Sequence, residues 1–454
     1  MNASGFLDEY EELCRRYYQG TLTPRAWASW RQARLSAVLE RVTRESAFYR
    51  RHLAGCDIGS VTPQSLQSLP FTTKADLQQA GYDVLCGRAG DALVFYETTG
   101  TTGVATPCPR DARDIASSNA HVEQSWRRTF GHYFGERTPT IALMGPSELY
   151  AFGDTFGDVA ARLGACHAKL WPSSPRVGFR TALRLMRELA IDVVVCSPSL
   201  VLSLAREACE HGSAPGDFPV SLFLVLGEIC TPQFAANAMS LWGASMLPTL
   251  YGSQEALAIA TGCAAGKLHL SGPNYLAEVI DPGTGASLGG YGQGELCLTM
   301  LIDGIKPLIR YRTGDLVTVS GARCACGAPG DLVEVAGRAA DLVELGGRGV
   351  LPTELEAAIL DGVSNCLGYQ VVISSGAAGE DAVTVRLQIM PAPGQQLEAV
   401  CRGVRERLTD RFGVSARCSA VPGLDPVTGS GAQASWKTAR IQDLREPRAA
   451  CPAR

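Results

Sequence analysis

The feature that most restricts the fold of this chain is a repeated alternation of strand and helix candidates between residues 140 and 260. The strand candidates are 140–144, 168–171, 191–196, 221–226 and 245–250. Stretches with helical spacing of apolar residues lie between them, most clearly 178–189 and 199–210. This alternation predicts a parallel sheet with helices on its faces, that is, an α/β fold.

Polar and small residues follow two of these candidate strands directly. One strand is followed by Gly227 and Glu228, and the next by Tyr251, Gly252 and Glu255. Because ligands of open α/β sheets bind beyond the carboxyl ends of the strands, these residues are candidates for a binding site.

A loop rich in threonine and glycine follows a short apolar run at 92–96 and precedes a helix start at Asp111. Its members are Thr98, Thr99, Gly100, Thr101, Thr102 and Gly103. Glycines let backbone amides approach an anion and hydroxyls add donors, so a strand, such a loop and a helix predict a phosphate cradle. A flexible surface loop is the alternative, since neither the P-loop motif nor the dinucleotide-binding motif is present.

Composition limits the classes of protein that this chain can belong to. With 454 residues it exceeds one ordinary core, so two or more domains are expected. A hydrophobic content of 46% and a net charge of −4 describe a globular protein whose main partner is neither nucleic acid nor an anionic membrane. The N-terminal residues lack a signal-peptide pattern and no stretch is long and apolar enough to span a membrane, so we expect a cytoplasmic protein.

The chain has sixteen cysteines and six histidines, and three of the cysteines and one histidine form a pattern typical of metal ligands. Cys263 and His269 form one pair, and Cys324 and Cys326 form the other. Three thiolates and one imidazole complete a tetrahedral zinc site with no position for water, which predicts a structural metal. With so many cysteines, a chance grouping of reduced thiols is the alternative.

The remaining segments indicate two further regions. Residues 275–320 are rich in strand and turn signals, and the following residues to about 445 alternate short strands and helices. Residues 285–289 match the G-x-S-x-G pattern of a hydrolase nucleophile elbow, but no buried strand leads into the match and no helix follows, so we interpret it as a hairpin connection.

Several segments together resemble the acyl-adenylate-forming superfamily, and specifically its phenylacetate-CoA ligase branch. They are 48–51, 69–77, 98–103, 251–255, 307–315 and 337–356. They occur in the family's order, and the resemblance covers the chain from about residue 48 to residue 440. It implies an N-terminal domain, 1–336, of α/β-sheet subdomains and a β-rich subdomain, a small mobile α+β domain, 337–445, and a disordered tail, 446–454.

The resemblance also implies an activity. Family members use ATP to convert a carboxylic acid, here an aryl or arylalkyl acid, to acyl-AMP and pyrophosphate, and then transfer the acyl group to coenzyme A. The threonine- and glycine-rich loop is then expected to hold the ATP phosphates, and Glu255 to bind Mg²⁺. Asp315 is expected on the ribose hydroxyls, and Arg338 on ribose or phosphate. Tyr251 is expected on the adenine face, with Gly252 beside it.

Other roles follow from the same resemblance. Gly227 and Glu228 are expected along the adenine edge, and Lys437 at the position of the adenylation lysine. The expected acyl and coenzyme A channel residues are Tyr150, Phe152, Gly347 and Gly349. Similar cysteine and histidine positions in the family support the zinc site.

Two departures from the family keep the acyl acceptor open. The family's Gly-Lys is Trp436-Lys437 here, so a surface lysine is an alternative, and the first acidic hinge residue is Ala340, followed by Asp341. An amide synthetase or a ligase that loads a carrier protein therefore stays an alternative to a CoA ligase. A catalytically idle nucleotide-binding protein is a third hypothesis, and the chain is expected to be a monomer or a homodimer.

Overall fold

The computed structural model describes residues 3–98, 104–376, 379–390, 396–424 and 440–445. Eleven α-helices lie within these ranges: α1 Ala3–Tyr18, α2 Pro24–Glu45, α3 Ala47–His52, α4 Lys74–Ala80, α5 Ala112–Phe134, α6 Ala151–Arg162, α7 Gly178–Glu188, α8 Pro198–Glu210, α9 Pro232–Trp242, α10 Pro352–Leu360 and α11 Leu397–Phe412. None of the helices in these ranges has the length and apolar character that crossing a membrane requires.

The same ranges contain twenty strands. The first ten are β1 Val94–Glu97, β2 Pro107–Arg110, β3 Ile141–Met144, β4 His167–Lys169, β5 Val193–Cys196, β6 Leu222–Leu226, β7 Ser245–Ser253, β8 Leu257–Gly262, β9 Leu268–Leu270 and β10 Tyr275–Ile280. The others are β11 Ser287–Gly289, β12 Gly292–Met300, β13 Tyr311–Ser320, β14 Leu332–Arg338, β15 Val343–Leu345, β16 Arg348–Val350, β17 Cys366–Ser375, β18 Asp381–Ile389, β19 Ser415–Ala420 and β20 Ile441–Asp443.

The predicted parallel sheet is present. Strands β4, β3, β5, β6 and β7 lie side by side in that order, and every neighbouring pair is parallel. All residues of β3 and β5 are buried, which explains their uninterrupted apolar runs, because helices cover both faces of the sheet. The predicted α/β class is thus confirmed.

The β-rich region does not form a separate sheet. Antiparallel pairing of β7 with β8 and of β8 with β9 joins it to the parallel strands, and twelve strands form one continuous sheet from β11 to β4. The interpretation of 285–289 as a hairpin connection is confirmed, since exposed β11 pairs antiparallel with β10.

The expected order of strand, loop and helix at 92–111 is incomplete, because residues 107–110 form a second strand. β2 pairs antiparallel with β1, so the threonine- and glycine-rich loop connects the two strands of a hairpin. The sequence did not predict this strand, because Pro107 and Pro109 are more typical of a loop. They are two residues apart, so both can have their missing amide on the edge away from β1, where a strand tolerates proline. Helix α5 then begins after Asp111, whose carboxylate caps it.

The C-terminal region forms a second, smaller sheet. Its four strands lie in the order β19, β18, β17 and β20, with α10 and α11 packed beside them. The expected domain boundary at 336/337 lies within β14 (Leu332–Arg338), one of the strands of the large sheet. The division into two domains stays a prediction, and the tail from 446 is outside the described residues.

Candidate active site

The hairpin of β1 and β2 places Thr98 at the end of the threonine- and glycine-rich loop. The Thr98 amide donates to the Thr106 carbonyl at 3.1 Å, and the Thr106 amide donates to Thr98 Oγ1 at 2.8 Å. These two bonds close the base of the loop. Thr99, Gly100, Thr101, Thr102 and Gly103 are outside the described residues, so their expected contact with phosphate stays a prediction.

Two buried cations lie beneath this hairpin. Lys306 Nζ donates to the Pro107 carbonyl at 2.8 Å and lies 3.3 Å from Cys108 Sγ. The Arg110 guanidinium donates to the backbone carbonyls of Gln254 and Glu255, the latter at 2.6 Å. Burial lowers the pKa of Lys306. Together these contacts fix the hairpin to the segment that contains the expected magnesium ligand.

Glu255 lies at the carboxyl end of β7, as the sequence predicts. Its side chain is 7% exposed, and one carboxylate oxygen is 4.0 Å from Lys74 Nζ at the start of α4. The neighbouring Gln254 side chain donates to the Leu149 carbonyl at 3.0 Å, and the same carbonyl accepts the Glu97 amide at 3.1 Å. The ends of β1, β3 and β7 therefore meet at one edge of the sheet.

Tyr251, Asp315 and Arg338 come together although 64 residues separate the first from the second. The Tyr251 hydroxyl donates to Asp315 Oδ2 at 2.6 Å, and Arg338 Nε donates to Asp315 Oδ1 at 3.3 Å. Burial raises the pKa of Tyr251, and the adjacent carboxylate raises it further, so the hydroxyl stays protonated as a donor. The pairing of β13 with β14 places Asp315 opposite Arg338.

Gly252 is required by a close approach of two strands. A β-carbon at this position would lie 2.0 Å from the Leu257 carbonyl oxygen of β8, which no side chain can accept. The register of β7 and β8 shifts between Tyr251 and Gly252. Such an irregularity redirects neighbouring side chains.

Gly227 and Glu228 follow β6, and the glycine has a φ of +84° that favours glycine. The Glu228 carboxylate accepts the amide of Ser199 at 3.0 Å and its hydroxyl at 2.7 Å, at the start of α8. It also accepts from Arg440 at 3.1 Å. Its expected place along adenine stays a prediction, and the described contacts direct its carboxylate toward α8 and the C-terminal segment.

The two aromatic residues expected to line an acyl pocket differ in environment. Phe152 is 7% exposed and packs on Phe156 with ring centroids 5.1 Å apart, so it is a core residue. A β-carbon on Gly145 would lie 2.9 Å from the Phe152 ring, so this packing leaves no open space. Tyr150, the residue before α6, is half-buried and stays the candidate lining residue.

The expected channel and hinge residues follow β14. Ala340 and Asp341 form a short turn, and Gly347 and Gly349 lie in the exposed hairpin of β15 and β16. No atom lies within 4 Å of a β-carbon placed on Gly347. Lys437 is outside the described residues, so its role stays a prediction.

Cys263, His269, Cys324 and Cys326 converge, with their ligand atoms all within 4.8 Å of one another. Cys263 Sγ is 3.8 Å from Cys324 Sγ, and two sulfurs on a tetrahedral zinc with bonds of about 2.3 Å are also about 3.8 Å apart. His269 Nε2 is 3.3 Å from Cys326 Sγ, while His269 Nδ1 is 3.1 Å from the Pro329 carbonyl. Donation from Nδ1 leaves the Nε2 lone pair for a metal.

Sequence reasoning missed Arg110, Lys306 and Gln254. Arg110 and Lys306 are fully buried, although charged residues are rarely buried without partners. The signal for Lys306 was a single lysine within the apolar segment 300–311, and Gln254 was adjacent to a residue already singled out. Their partners are backbone carbonyls distant in sequence, which no local pattern reveals.

Comparison with known proteins finds CoA ligases among both the curated relatives and the solved structures. The chain is 24% identical over 451 residues to the phenylacetate-coenzyme A ligase of Thermus thermophilus, covering 91% of this chain and 96% of that protein. It superposes on a crystal structure of a 2-hydroxyisobutyryl-CoA ligase in the postadenylation state with a TM-score of 0.76, at 19% identity and covering 90% and 88% of the two chains. The same ligase in its thioesterification state gives 0.65, at 20% identity and covering 95% and 92%. No family profile matches this chain.

The fold is that of CoA ligases of the adenylate-forming superfamily. The sequence is similar to curated phenylacetate-CoA ligases over nearly its whole length.

Proposed function

We propose that this protein is an AMP-forming carboxylate–CoA ligase. It converts an aryl or arylalkyl carboxylic acid to acyl-AMP with release of pyrophosphate, and then transfers the acyl group to coenzyme A. The observation that carries the proposal is the contact of Tyr251, Asp315 and Arg338 at the sheet edge where the β1–β2 hairpin and Glu255 also lie. An adenosine group and a chain of phosphates need these two kinds of site next to each other.

Each part of the site has a distinct task. The Asp315 carboxylate accepts hydrogen bonds from ribose hydroxyls, and Tyr251 offers an aromatic face to adenine. The loop between β1 and β2 provides amides and hydroxyls for the outer phosphates. The nearly buried Glu255 carboxylate fits a magnesium ion, since a hard cation takes oxygen ligands, and the ion would neutralise phosphate charge.

The proposal of an aryl substrate rests on relatives that are named for phenylacetate and on half-buried Tyr150. The proposal that coenzyme A is the acyl acceptor rests on relatives that are named CoA ligases. Ala340 lies in the turn after β14, where an acidic hinge residue is expected, and leaves a second candidate open. This candidate is an adenylating enzyme that transfers the acyl group to an amine or to a carrier-protein thiol.

One incubation distinguishes these functions. The purified protein is given ATP, Mg²⁺ and a panel containing phenylacetic, benzoic and 2-hydroxyisobutyric acids, with or without coenzyme A, and products are identified by mass. We expect acyl-AMP without coenzyme A and an acyl-CoA with it, from an aryl acid. Acyl-AMP that never becomes a thioester would favour the amine or carrier-protein acceptor, and no acyl-AMP from any acid would contradict the proposal.

We predict that Asp315→Asn lowers the affinities for ATP and for AMP by similar factors, about ten-fold. Both ligands contain the ribose that the charged carboxylate is proposed to contact. Calorimetric titration with AMP and with a non-hydrolysable ATP analogue measures both affinities. Asp281→Asn, in an exposed turn, serves as the control. A variant that lost only ATP would place Asp315 on the phosphates instead.

We also propose that the four Cys and His side chains hold a structural zinc ion. The three sulfurs and one nitrogen match a closed tetrahedral set, and the spacing of the two described pairs is close to that of zinc ligands. Cys263 directly follows β8 and His269 lies in β9, whereas Cys324 and Cys326 lie in the connection from β13 to β14. The ion would therefore join two parts of the large sheet.

Protein purified without added metal is therefore expected to contain one zinc per chain by elemental analysis. Cys324→Ser should lower the melting temperature and remove the zinc, because a ligand is lost, while Cys166→Ser, at an exposed thiol outside the cluster, should change neither. The folded fraction should keep its affinity for AMP. A stable, metal-free wild-type protein would show these residues to be ordinary thiols and an ordinary imidazole.

A further inference from the structure

Arg440 joins two parts of the chain through its guanidinium. Nη2 is 3.1 Å from Glu228 Oε2, in the segment that follows β6 of the large sheet. Nη1 is 2.6 Å from Glu356 Oε2 on α10 and 2.7 Å from the Tyr369 hydroxyl on β17. The side chain therefore lies between the large sheet and the C-terminal unit, by which we mean α10, α11 and strands β17 to β20.

The cluster is withdrawn from solvent. The side chains of Arg440, Glu228 and Glu356 are 13%, 13% and 9% exposed. The guanidinium lies 4.8 Å from the Phe234 ring centroid and 5.2 Å from that of Tyr369. Burial lowers the pKa of Arg440, but Tyr369, Glu228 and Glu356 raise it by more. Separating a buried charge from its partner is costly, so these groups favour one placement of the C-terminal unit.

Other polar contacts cross the same boundary. Thr231 Oγ1 donates to Glu356 at 2.8 Å, and the Asn237 amide group makes two bonds of 2.8 Å with the backbone of Cys366. Arg440 differs from them in its place in the chain, since it follows Lys437 by three residues. Three residues of extended chain span at most about 11 Å, so fixing Arg440 limits the distance between residue 437 and Glu228.

We propose that Arg440 is a positioning residue for acyl-AMP formation, which it favours by holding the C-terminal unit against the segment that follows β6. The inference rests on the proposed function. The pair holds the C-terminal unit beside the strand ends that form the nucleotide site.

The test compares the two half-reactions in the full chain for wild type, Arg440→Met, Arg440→Lys and a control, Arg445→Met. Arg445 lies in the same terminal segment, but its ion pairs with Asp381 and Asp443 are within the C-terminal unit. Pyrophosphate release is measured with ATP, Mg²⁺ and phenylacetic acid, or the most active acid of the panel. Thioester formation is measured from the matching acyl-AMP and coenzyme A.

We expect Arg440→Met to slow pyrophosphate release about ten-fold or more and to leave thioester formation within about two-fold of wild type or faster. Arg440→Lys, which keeps the charge, should restore part of the first rate. Arg445→Met should change the two rates by similar factors. Equal losses in both half-reactions for Arg440→Met, or the same selectivity in Arg445→Met, would overturn the proposal.

Amide hydrogen exchange tests the contact without any substrate. Arg440→Met should increase exchange in α8 and in β17, on both sides of the boundary. Arg445→Met should affect only the C-terminal unit and β15, whose Glu344 carbonyl accepts from Arg445. Unchanged exchange in α8 would contradict a holding role. A wild-type protein that forms no acyl-AMP with any acid would remove the proposed function, and the exchange result would then stand as a separate test of the contact.

Discussion

Replacement of Lys437 by alanine is expected to abolish acyl-AMP formation while leaving thioester formation from supplied acyl-AMP largely intact. A compact ammonium suits the negative charge that develops between the carboxylate oxygen and the α-phosphate, and one preorganised donor at such a charge is typically worth roughly 10²–10³ in rate. The measurement is pyrophosphate release for the first step and thioester formation for the second.

Lys169→Ala, at an exposed lysine of β4, is the matched control and should retain both rates. Loss of both half-reactions in Lys437→Ala would indicate a general defect in binding or folding. Retention of both rates would show that Lys437 is a surface lysine, which is the alternative considered because Trp436 replaces the family's glycine.

The second large effect is expected from Glu255→Gln, which keeps the size of the side chain and removes the charge that Mg²⁺ needs. ATP-dependent adenylation should fall by roughly 10²-fold and require more Mg²⁺. AMP should bind almost as before, because it lacks the β- and γ-phosphates. Titrating AMP and a non-hydrolysable ATP analogue against the same variant provides an internal control.

Thr101→Val should have the same selectivity at smaller amplitude, because it removes one donor directed at the outer phosphates and leaves the adenosine site unchanged. If AMP affinity fell as much as ATP affinity in either variant, the loop between β1 and β2 would not hold the β- and γ-phosphates, and Glu255 would not act through Mg²⁺.

The parallel half of the large sheet could be predicted because its signal is local. Strands such as β3 and β5 are short, wholly apolar runs separated by helices. A strand needs apolar residues on both sides when helices cover both faces of its sheet. β2 could not, because its two prolines are typical of loops and only its antiparallel register with β1 makes them compatible with a strand. The parallel and antiparallel halves of the large sheet are joined by the pairing of β7 with β8. This junction could not be predicted, because the two halves have different sequence patterns.

In the candidate site, residues that belong to a motif could be singled out and residues that support them could not. The meeting of Tyr251 with Asp315 was implied by resemblance, and the bond between them is a structural result. Arg110 and Arg440 were not predicted at all. Each acts through partners far away in the chain, and an isolated arginine carries no signal of where its guanidinium will lie.

The proposed function requires that the carboxylate of the substrate attack the α-phosphate of ATP. An acid labelled with heavy oxygen in both carboxylate positions tests this step when it is incubated with the protein, ATP, Mg²⁺ and coenzyme A. Attack at the α-phosphate and later cleavage of the acyl–oxygen bond leave one carboxylate oxygen on AMP. We therefore predict AMP that carries one heavy-oxygen atom, together with unlabelled pyrophosphate. Unlabelled AMP, or ADP with the label in inorganic phosphate, would contradict it.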